Sequence, residues 1–398
     1  MGKKRRLRSG TANTHTASGK GVARAMPRAS LHPDTASQRI SWIDTAKALG
    51  IITVFYGHIV EKLFLTHGLP AAGYQYKLIY SFHMPLFFVL SGYLAGEIHG
   101  RAFPDFLRNK FMTRVVPFFF FNVLILPFYF IADEMSHQRL DVGQFIHKFL
   151  LMFTGRPRFN NITWFLACLF SVEMANYFLH PFLRKSRALL CAAIVLFYFA
   201  GWSISYKADP AVIPDYWSLR KMLAAYSFYL CGSLVAGVPY FRTKGNPYLD
   251  SSLFLLTVVC LVFSFNMNHG PFRMIPVVMF ANGSYGNIFL FPLTALAGSL
   301  CVISASRLLS SNGIMTFLGM NTLPLMGLGG VLQIYANAVL LRYSSRLFSA
   351  DHFSIFMQCA VLTGMSLVLC VPFVLLLKKH LPFLIGQWKD TRSRETIR

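Results

Sequence analysis

The sequence predicts an all-α, polytopic integral membrane protein built as a bundle of about ten transmembrane helices. Of its 398 residues, 55% are hydrophobic and only 13% are charged, whereas about a quarter of the residues of an ordinary soluble domain are charged. The mean hydropathy is +0.48, and apolar runs of about 20 residues, the length that crosses a bilayer, recur along the chain. The alternation over about ten residues that is typical of a transmembrane β-barrel is not found.

Ten apolar runs define the predicted spans. We place them at 46–65, 78–97, 112–132, 162–182, 188–204, 220–240, 251–267, 287–306, 314–341 and 354–377. The ninth run is long and contains the stretch GLGG at 327–330, which predicts either a kinked helix or two half-spans at that point. The transmembrane domain therefore covers 39–377. The flanking segments 1–38 and 378–398 are polar and basic, and we predict that the first is a disordered cytoplasmic tail and the second a basic cytoplasmic tail.

The distribution of basic residues predicts the orientation. With the N-terminus inside, the basic segments GRAFPDFLRNKFMTR, LRKSR, FRTKG and the C-terminal tail also lie inside, as the positive-inside rule requires. Both termini are therefore predicted to be cytoplasmic. This pattern also accounts for the net charge of +23, so we predict no nucleic-acid partner. The seven cysteines stand singly in apolar runs without CxxC spacing, which predicts neither a zinc site nor a disulfide framework.

Two polar residues lie on one face of the first span, in AKALGIITVFYGHIV. Lys47 and His58 are eleven residues apart, close to three helical turns, which separates them by about 16 Å along the helix. We place Lys47 near the cytoplasmic surface and His58 past the midplane. Ionisable residues inside spans usually face a polar cavity. The alternatives are a snorkelling side chain for Lys47 and a hydrogen bond between helices for His58.

The second span, YSFHMPLFFVLSGYL, runs back from outside to inside and carries a second histidine. We place His83 at a depth similar to that of His58, and Ser91 lower, toward the cytoplasmic side. Imidazole titrates near neutral pH, which suits a general base. The two histidines are therefore candidates for a proton-handling pair.

Polar residues of the third and fourth spans add two further candidates. Lys110 and Arg114 stand at the cytoplasmic start of the third span, and with Lys47 they predict a cationic mouth suited to an anionic coenzyme A nucleotide. The alternative is that Arg114 only anchors the start of the span on the cytoplasmic side, as the positive-inside rule describes. In the fourth span, Glu173 lies nine residues deeper than the interfacial Trp164. We predict that Glu173 either pairs with a histidine or is protonated and hydrogen-bonded.

Ordered motifs carry a resemblance to a known family. No Walker A loop, HExxH or GxSxG motif occurs. Long soluble domains are absent as well, so we expect any chemistry to take place within the helix bundle. The stretches WIDTAKALGIITVFYGH, SFHMPLFFVLSGYL, RVVPF, WFLACLF and LGMNTLPL follow one another in this order. Over roughly residues 39–377 the chain resembles the membrane acyltransferase 3 family, especially its fucose 4-O-acetylase-like branch.

The resemblance implies a ten-helix enzyme of the bacterial inner (plasma) membrane that O-acetylates carbohydrate, with acetyl-CoA as the donor and no metal. The family's signature is a basic residue, usually Arg, followed after ten intervening residues by His, and Lys47 and His58 fill these places. By resemblance, His58 is the catalytic base, Arg114 is a donor-side cation, and His83 matches the histidine of the second motif. The motif near GMNTLPLMGLGG often ends in a histidine in relatives. Gly329 stands at about that position here, so no role carries over.

These observations give one predicted function and two alternatives. The catalytic candidates are His58, His83 and Glu173, and the donor-binding candidates are Lys47, Arg114, Lys110 and Ser91. The acceptor is predicted to be a polysaccharide or a lipid-linked glycan, with membrane lipid and envelope-glycan biosynthesis proteins as partners. A covalent acetyl-enzyme intermediate is left open. The alternative functions are a transporter or flippase of lipid-linked sugar and a structural subunit of a polysaccharide export complex.

Overall fold

The structure is a computed structural model that describes residues 41–95, 102–128, 141–207, 215–243, 245–309, 311–332 and 351–387. Within these ranges the chain is helical and forms no strand, apart from a single bridge between Met279 and Ser284. The predicted all-α class is therefore confirmed. The predicted N-terminal tail and residues 388–398 of the predicted C-terminal tail lie outside the described residues.

Seven of the described helices are long and apolar enough to cross a membrane. They are Ser41–His67, Phe103–Phe128, Asn161–Leu183, Arg187–Lys207, Pro247–Met267, Leu290–Leu308 and His352–His380. An eighth span is formed if Gly313–Met320 and Thr322–Leu332, which are bent by 78° at the break between them, are counted together. A multi-pass membrane protein is therefore confirmed, whereas the number ten and the cytoplasmic termini stay predictions.

The helices are numbered in chain order. They are α1 (Ser41–His67), α2 (Pro70–Tyr80), α3 (His83–Tyr93), α4 (Phe103–Lys110), α5 (Val116–Leu124), α6 (Val142–Met152), α7 (Trp164–Leu183), α8 (Arg187–Lys207), α9 (Leu219–Ala236), α10 (Pro239–Arg242), α11 (Pro247–Met267), α12 (Leu290–Leu308), α13 (Gly313–Met320), α14 (Thr322–Leu332) and α15 (His352–His380). The predicted second span falls in α2 and α3, which are interrupted at Ser81 and Phe82, and the predicted sixth span falls largely in α9.

The break in the predicted ninth span lies elsewhere than expected. The interruption predicted at 327–330 is wrong, because these residues lie inside α14 and the bend lies at Asn321. The Asn321 side chain donates a 2.6 Å hydrogen bond to the carbonyl of Phe317, and such local bonds compete with the helical backbone ladder. The glycines serve close packing instead, since a Cβ on Gly327 would lie 2.3 Å from the ring of Phe121.

Close approach of α3 and α9 fixes the centre of the bundle. A Cβ on Gly92 would lie 1.8 Å from the carbonyl oxygen of Tyr229, and one on Gly232 would lie 1.9 Å from that of Val89. Only glycine leaves room for this contact, and small residues are the usual means by which membrane helices approach closely. Because α9 also packs on α8 and α1 packs on α13, the positions of α1, α3 and α9 are set by several neighbours.

Candidate active site

A cavity of about 1140 Å³ lies among the helices of the bundle. Its volume lies slightly above the range of about 300–1,000 Å³ that is usual for one small ligand. All seven site residues predicted from the sequence line it. They are Lys47, His58, His83, Ser91, Lys110, Arg114 and Glu173. One continuous space therefore connects Lys47 with His58, which lie at two different depths of α1.

His58 is hydrogen-bonded to an acidic residue one turn further along α1. Nδ1 of His58 lies 2.8 Å from Oε2 of Glu61. Because an ionised carboxylate only accepts hydrogen bonds, Nδ1 carries the proton and Nε2 is left with its lone pair as the basic nitrogen. The two side chains are 24% and 21% exposed and both line the cavity. A carboxylate that orients an imidazole in this way is a recurring arrangement for a general base.

Two tyrosines hold the carboxylate of this His58–Glu61 pair. The hydroxyl of Tyr80 donates to Oε2 of Glu61 at 2.6 Å and lies 2.9 Å from Nδ1 of His58, while the hydroxyl of Tyr76 donates to Oε1 at 2.8 Å. Both tyrosines are buried and belong to α2. The orientation of His58 is therefore fixed from a second helix as well as from its own.

His83 lies on the other side of Tyr80. The Tyr80 ring packs edge-on against both histidines, with centroids 4.6 Å from His83 and 5.8 Å from His58. His83 is buried, and its Nδ1–H donates to the carbonyl of Ile79 at 2.9 Å, which leaves Nε2 as an acceptor. The structure thus brings both histidines to the same cavity but separates them by a tyrosine ring.

Glu173 forms an ion-pair cluster with two cations of the third predicted span. Nζ of Lys110 lies 2.8 Å from Oε1, and Arg114 contacts both carboxylate oxygens, through Nη2 at 3.0 Å and Nε at 3.1 Å. The predicted histidine partner of Glu173 is therefore wrong. The carboxylate is buried, and a buried charge requires paired cations of this kind. We refer to Glu173, Lys110 and Arg114 as the Glu173 cluster.

The backbone helps the two cations to converge. A single π-helical turn, Phe111–Val115, lies between α4 and α5 and includes Arg114 while directly following Lys110. Such turns interrupt regular helices mostly at functional sites. The π-helical turn therefore lies at Lys110 and Arg114, where the sequence predicted a cationic mouth.

Gly329 has a packing role. A Cβ at this position would lie 2.8 Å from the ring of Phe55, so α14 approaches α1 closely here. The residue does not line the cavity, whereas the neighbouring Gly330 does. No group of three His, Cys, Asp or Glu side chains that could hold a metal occurs in the part of the chain that the structure describes.

Sequence reasoning missed two features of the site. Glu61 follows His58 by three residues, a spacing that places two side chains on one helix face, and this signal could have identified the pair. The second feature is a set of five cations that line the cavity beyond the histidines, which we call the basic end. They are Arg156, Arg158, Arg220, Lys221 and Arg273.

Comparisons with known proteins place the chain in a family. A family model described as an acyltransferase domain, Acyl_transf_3, matches residues 40–376. Nodulation protein NolL of Mesorhizobium japonicum is 35% identical over 106 residues, which are 26% of this chain and 28% of that protein. Nodulation protein NolL of Sinorhizobium fredii is 25% identical over 240 residues, 57% of this chain and 58% of that protein. The chain therefore matches less than two thirds of the length of either relative.

No solved structure shows a significant match to the chain. The family match agrees with the resemblance seen in the ordered motifs, while the fucose 4-O-acetylase-like branch stays a prediction. The matched region contains the whole described bundle up to residue 376, including the His58–Glu61 pair and the Glu173 cluster. Because the family model covers most of its length, the chain belongs to the Acyl_transf_3 family of acyltransferase domains.

Proposed function

We propose that this protein is a membrane-bound O-acetyltransferase of the bacterial inner membrane. It moves an acetyl group from cytoplasmic acetyl-CoA to a hydroxyl group of a surface or lipid-linked carbohydrate. Family membership supports acyl transfer. The observation that carries the proposal is the single cavity lined both by Lys47 and the Glu173 cluster and by the His58–Glu61 pair.

The donor binds at the end of the cavity that contains Lys47, Ser91 and the Glu173 cluster. Cations at this end suit the phosphates of coenzyme A, and a guanidinium binds phosphate with a geometry that matches its oxygens. Glu173 is assigned to position Lys110 and Arg114, since its carboxylate contacts both. The pantetheine arm then extends along α1 over the distance of about 16 Å that separates Lys47 from His58.

His58 acts as the general base. The acceptor hydroxyl gives its proton to Nε2 of His58 while its oxygen attacks the thioester carbonyl. The carbon–sulfur bond breaks, the acetyl ester forms on the sugar, and the leaving coenzyme A thiolate takes up the proton. Glu61 accepts the Nδ1–H bond throughout and stabilises the imidazolium that forms transiently. His83 presents Nε2 as an acceptor that orients the hydroxyl.

A deletion strain tests the proposed function against its two alternatives. We expect that mass spectrometry of surface and lipid-linked glycans finds acetyl groups missing in the deletion strain, while the amount and length of exported chains are unchanged. Expression of the protein from a plasmid restores the acetyl mass. Loss of the exported chain itself would instead support a transporter, a flippase or a structural export subunit, and glycans with unaltered acetylation would contradict the proposal.

A further inference from the structure

The basic end of the cavity is separated from the Glu173 cluster. Trp164 and Glu173 both line the cavity from α7, and nine residues of helix place them about 13 Å apart. Lys221 lies beside Trp164, with Nζ 5.8 Å from the centroid of the indole ring. The cavity therefore has cations at two distinct levels, and those of the basic end lie away from the level to which we assign the donor.

The described residues of the basic end include one carboxylate and several cations. Among the described residues, the carboxylate of Asp215 lines this part of the cavity. Its carboxylate accepts hydrogen bonds from Nζ of Lys221 and, at 2.9 Å, from the backbone N–H of Arg220. Arg273 donates to the backbone carbonyls of Ser205 and Tyr206. Arg156 and Arg158 line the same end of the cavity from the segment before α7, and cations that are withdrawn from water are stabilised by a bound counter-charge.

The start of α9 increases the positive potential. Arg220 and Lys221 lie in its first turn and are only 9% and 8% exposed. Cations are unfavourable at a helix N-terminus, because the helix dipole places a partial positive charge there. The Asp215 carboxylate lies at this helix start as well. Together with Arg156 and Arg158, the helix start still gives this end of the cavity a positive potential that favours a bound anion.

A left-handed turn holds these two cations in place. Trp217 and Ser218 have φ values of 47° and 59°, and left-handed conformations of non-glycine residues are strained and persist mainly at functional sites. The turn is fixed from both sides, since the N–H of Trp217 donates to the carbonyl of Thr154 at 2.8 Å and Ser171 donates to the carbonyl of Trp217 at 2.7 Å.

Arg158 supplies a further donor at this end of the cavity. Its Nε is buried and has no hydrogen-bond partner among the described residues. Burial, together with the charge of Arg156, lowers the pKa of Arg158. An anion at this position would satisfy the Nε donor and offset both charges, and guanidinium groups bind carboxylate or phosphate through such paired donors.

The same end of the cavity also suits a sugar. Trp164 stacks on Phe280 with the ring centroids 5.9 Å apart and the planes at 16°, which presents a flat aromatic surface. The amides of Asn161 and Asn282 line the cavity with it. A flat aromatic face with amide groups around it fits the apolar face and the hydroxyls of a sugar ring.

We propose that the basic end is an anion subsite for the acceptor, so that the carbohydrate carries a carboxylate or a phosphate close to the hydroxyl that is acetylated. This inference rests on the proposed function and names the class of its acceptor, an anionic glycan. The cations of the basic end bind that group, and the sugar extends from it toward His58.

Acceptor chemistry provides the first test. The glycan that loses acetyl mass in the deletion strain is isolated and used as the acceptor for the purified full-length protein with labelled acetyl-CoA. Portions are treated by chemical reduction of the carboxyl groups or by removal of phosphate. We expect one of the two treatments to raise the KM for the acceptor about tenfold or more, as loss of a charge-assisted hydrogen bond implies. The treatment that has this effect identifies the anion as a carboxylate or a phosphate. If both treated acceptors behave like the untreated one, the anion subsite is contradicted. A deletion strain that loses no acetyl mass contradicts the proposed function itself.

Substitutions in the protein provide the second test. We expect Arg158→Gln and Arg156→Gln each to raise the KM for the acceptor by about tenfold, with the KM for acetyl-CoA unchanged and the protein eluting as a single folded species. The matched control is Lys207→Gln, which changes an exposed cation at the end of α8 that does not line the cavity. An unchanged KM for the acceptor, or a raised KM for acetyl-CoA instead, would overturn the assignment.

Discussion

Replacing Glu61 with Gln isolates the charge of the His58–Glu61 pair. Nδ1 of His58 and Oε2 of Glu61 are 2.8 Å apart, and glutamine keeps an acceptor oxygen at nearly the same place. The neutral imidazole therefore keeps its hydrogen bond and its orientation. Only the protonated imidazole, which forms as the acceptor hydroxyl is attacked, loses an ion-pair partner. The effect is thus expected on kcat rather than on the KM of either substrate.

The magnitude follows from the contact. A hydrogen bond to a charged group contributes about 1.5–3 kcal/mol, compared with about 0.5–1.5 kcal/mol for a neutral one. Both side chains are between a fifth and a quarter exposed, so water screens part of the charge, and we take a difference of about 1–2 kcal/mol. Since about 1.36 kcal/mol corresponds to a tenfold change in rate, kcat should fall about 5- to 30-fold.

The assay measures transfer of labelled acetyl from acetyl-CoA to the glycan of the deletion strain by protein reconstituted in lipid nanodiscs. His67→Ala serves as the control, because His67 is an exposed histidine at the end of the same helix. Equal amounts of folded protein are compared by size-exclusion chromatography. A Glu61→Gln protein with the wild-type kcat, or with a changed KM alone, would refute the role assigned to this carboxylate.

Three further substitutions test the site and the packing around it. Tyr80→Phe removes a donor to the charged carboxylate of Glu61, and with about 1–2 kcal/mol left after the same screening we expect kcat to fall about 5- to 30-fold; an unchanged kcat would contradict that hydrogen bond. Glu173→Gln removes the buried carboxylate that two partly exposed cations contact, so the free energy of unfolding should fall by about 1.5–3 kcal/mol, seen as a lower midpoint of thermal unfolding, and an equal midpoint would argue against the ion pairs. Gly92→Ala places a Cβ 1.8 Å from the carbonyl oxygen of Tyr229, so folded protein should be lost in size-exclusion chromatography, whereas Gly364→Ala, where no atom lies within 4 Å of the added Cβ, should be recovered normally.

The membrane-spanning segments were predictable because the length and hydropathy of an apolar run follow from the thickness of the bilayer. The first span, predicted at 46–65, is the helix Ser41–His67, and the last, predicted at 354–377, is His352–His380. The location of polar residues inside such spans was informative for the same reason, since ionisable groups there face the protein interior. Hence Lys47 and His58 were both expected at a polar space, and both line the cavity.

The partners of the polar residues were less predictable. We expected Glu173 either to pair with a histidine or to be protonated and hydrogen-bonded, but its carboxylate contacts Lys110 and Arg114, which lie about 60 residues earlier in the chain. Only the packing of the helices decides such contacts. The bend of the ninth span was assigned to glycines, although Asn321 forms it. The left-handed turn at Trp217 and Ser218 carries no glycine or asparagine signal in the sequence, so the basic end that it positions was not anticipated.

The most direct test of the account is acetyl transfer by the His58→Ala protein. Strains that carry the wild-type gene, His58→Ala or the control His67→Ala, with equal amounts of the protein in the membrane, are compared by mass spectrometry of their glycans. The account predicts that His58→Ala glycans lack the acetyl mass entirely, while chain export and the His67→Ala glycans are normal. Acetylated glycans in the His58→Ala strain would contradict the assignment of His58 as the base at the centre of the cavity.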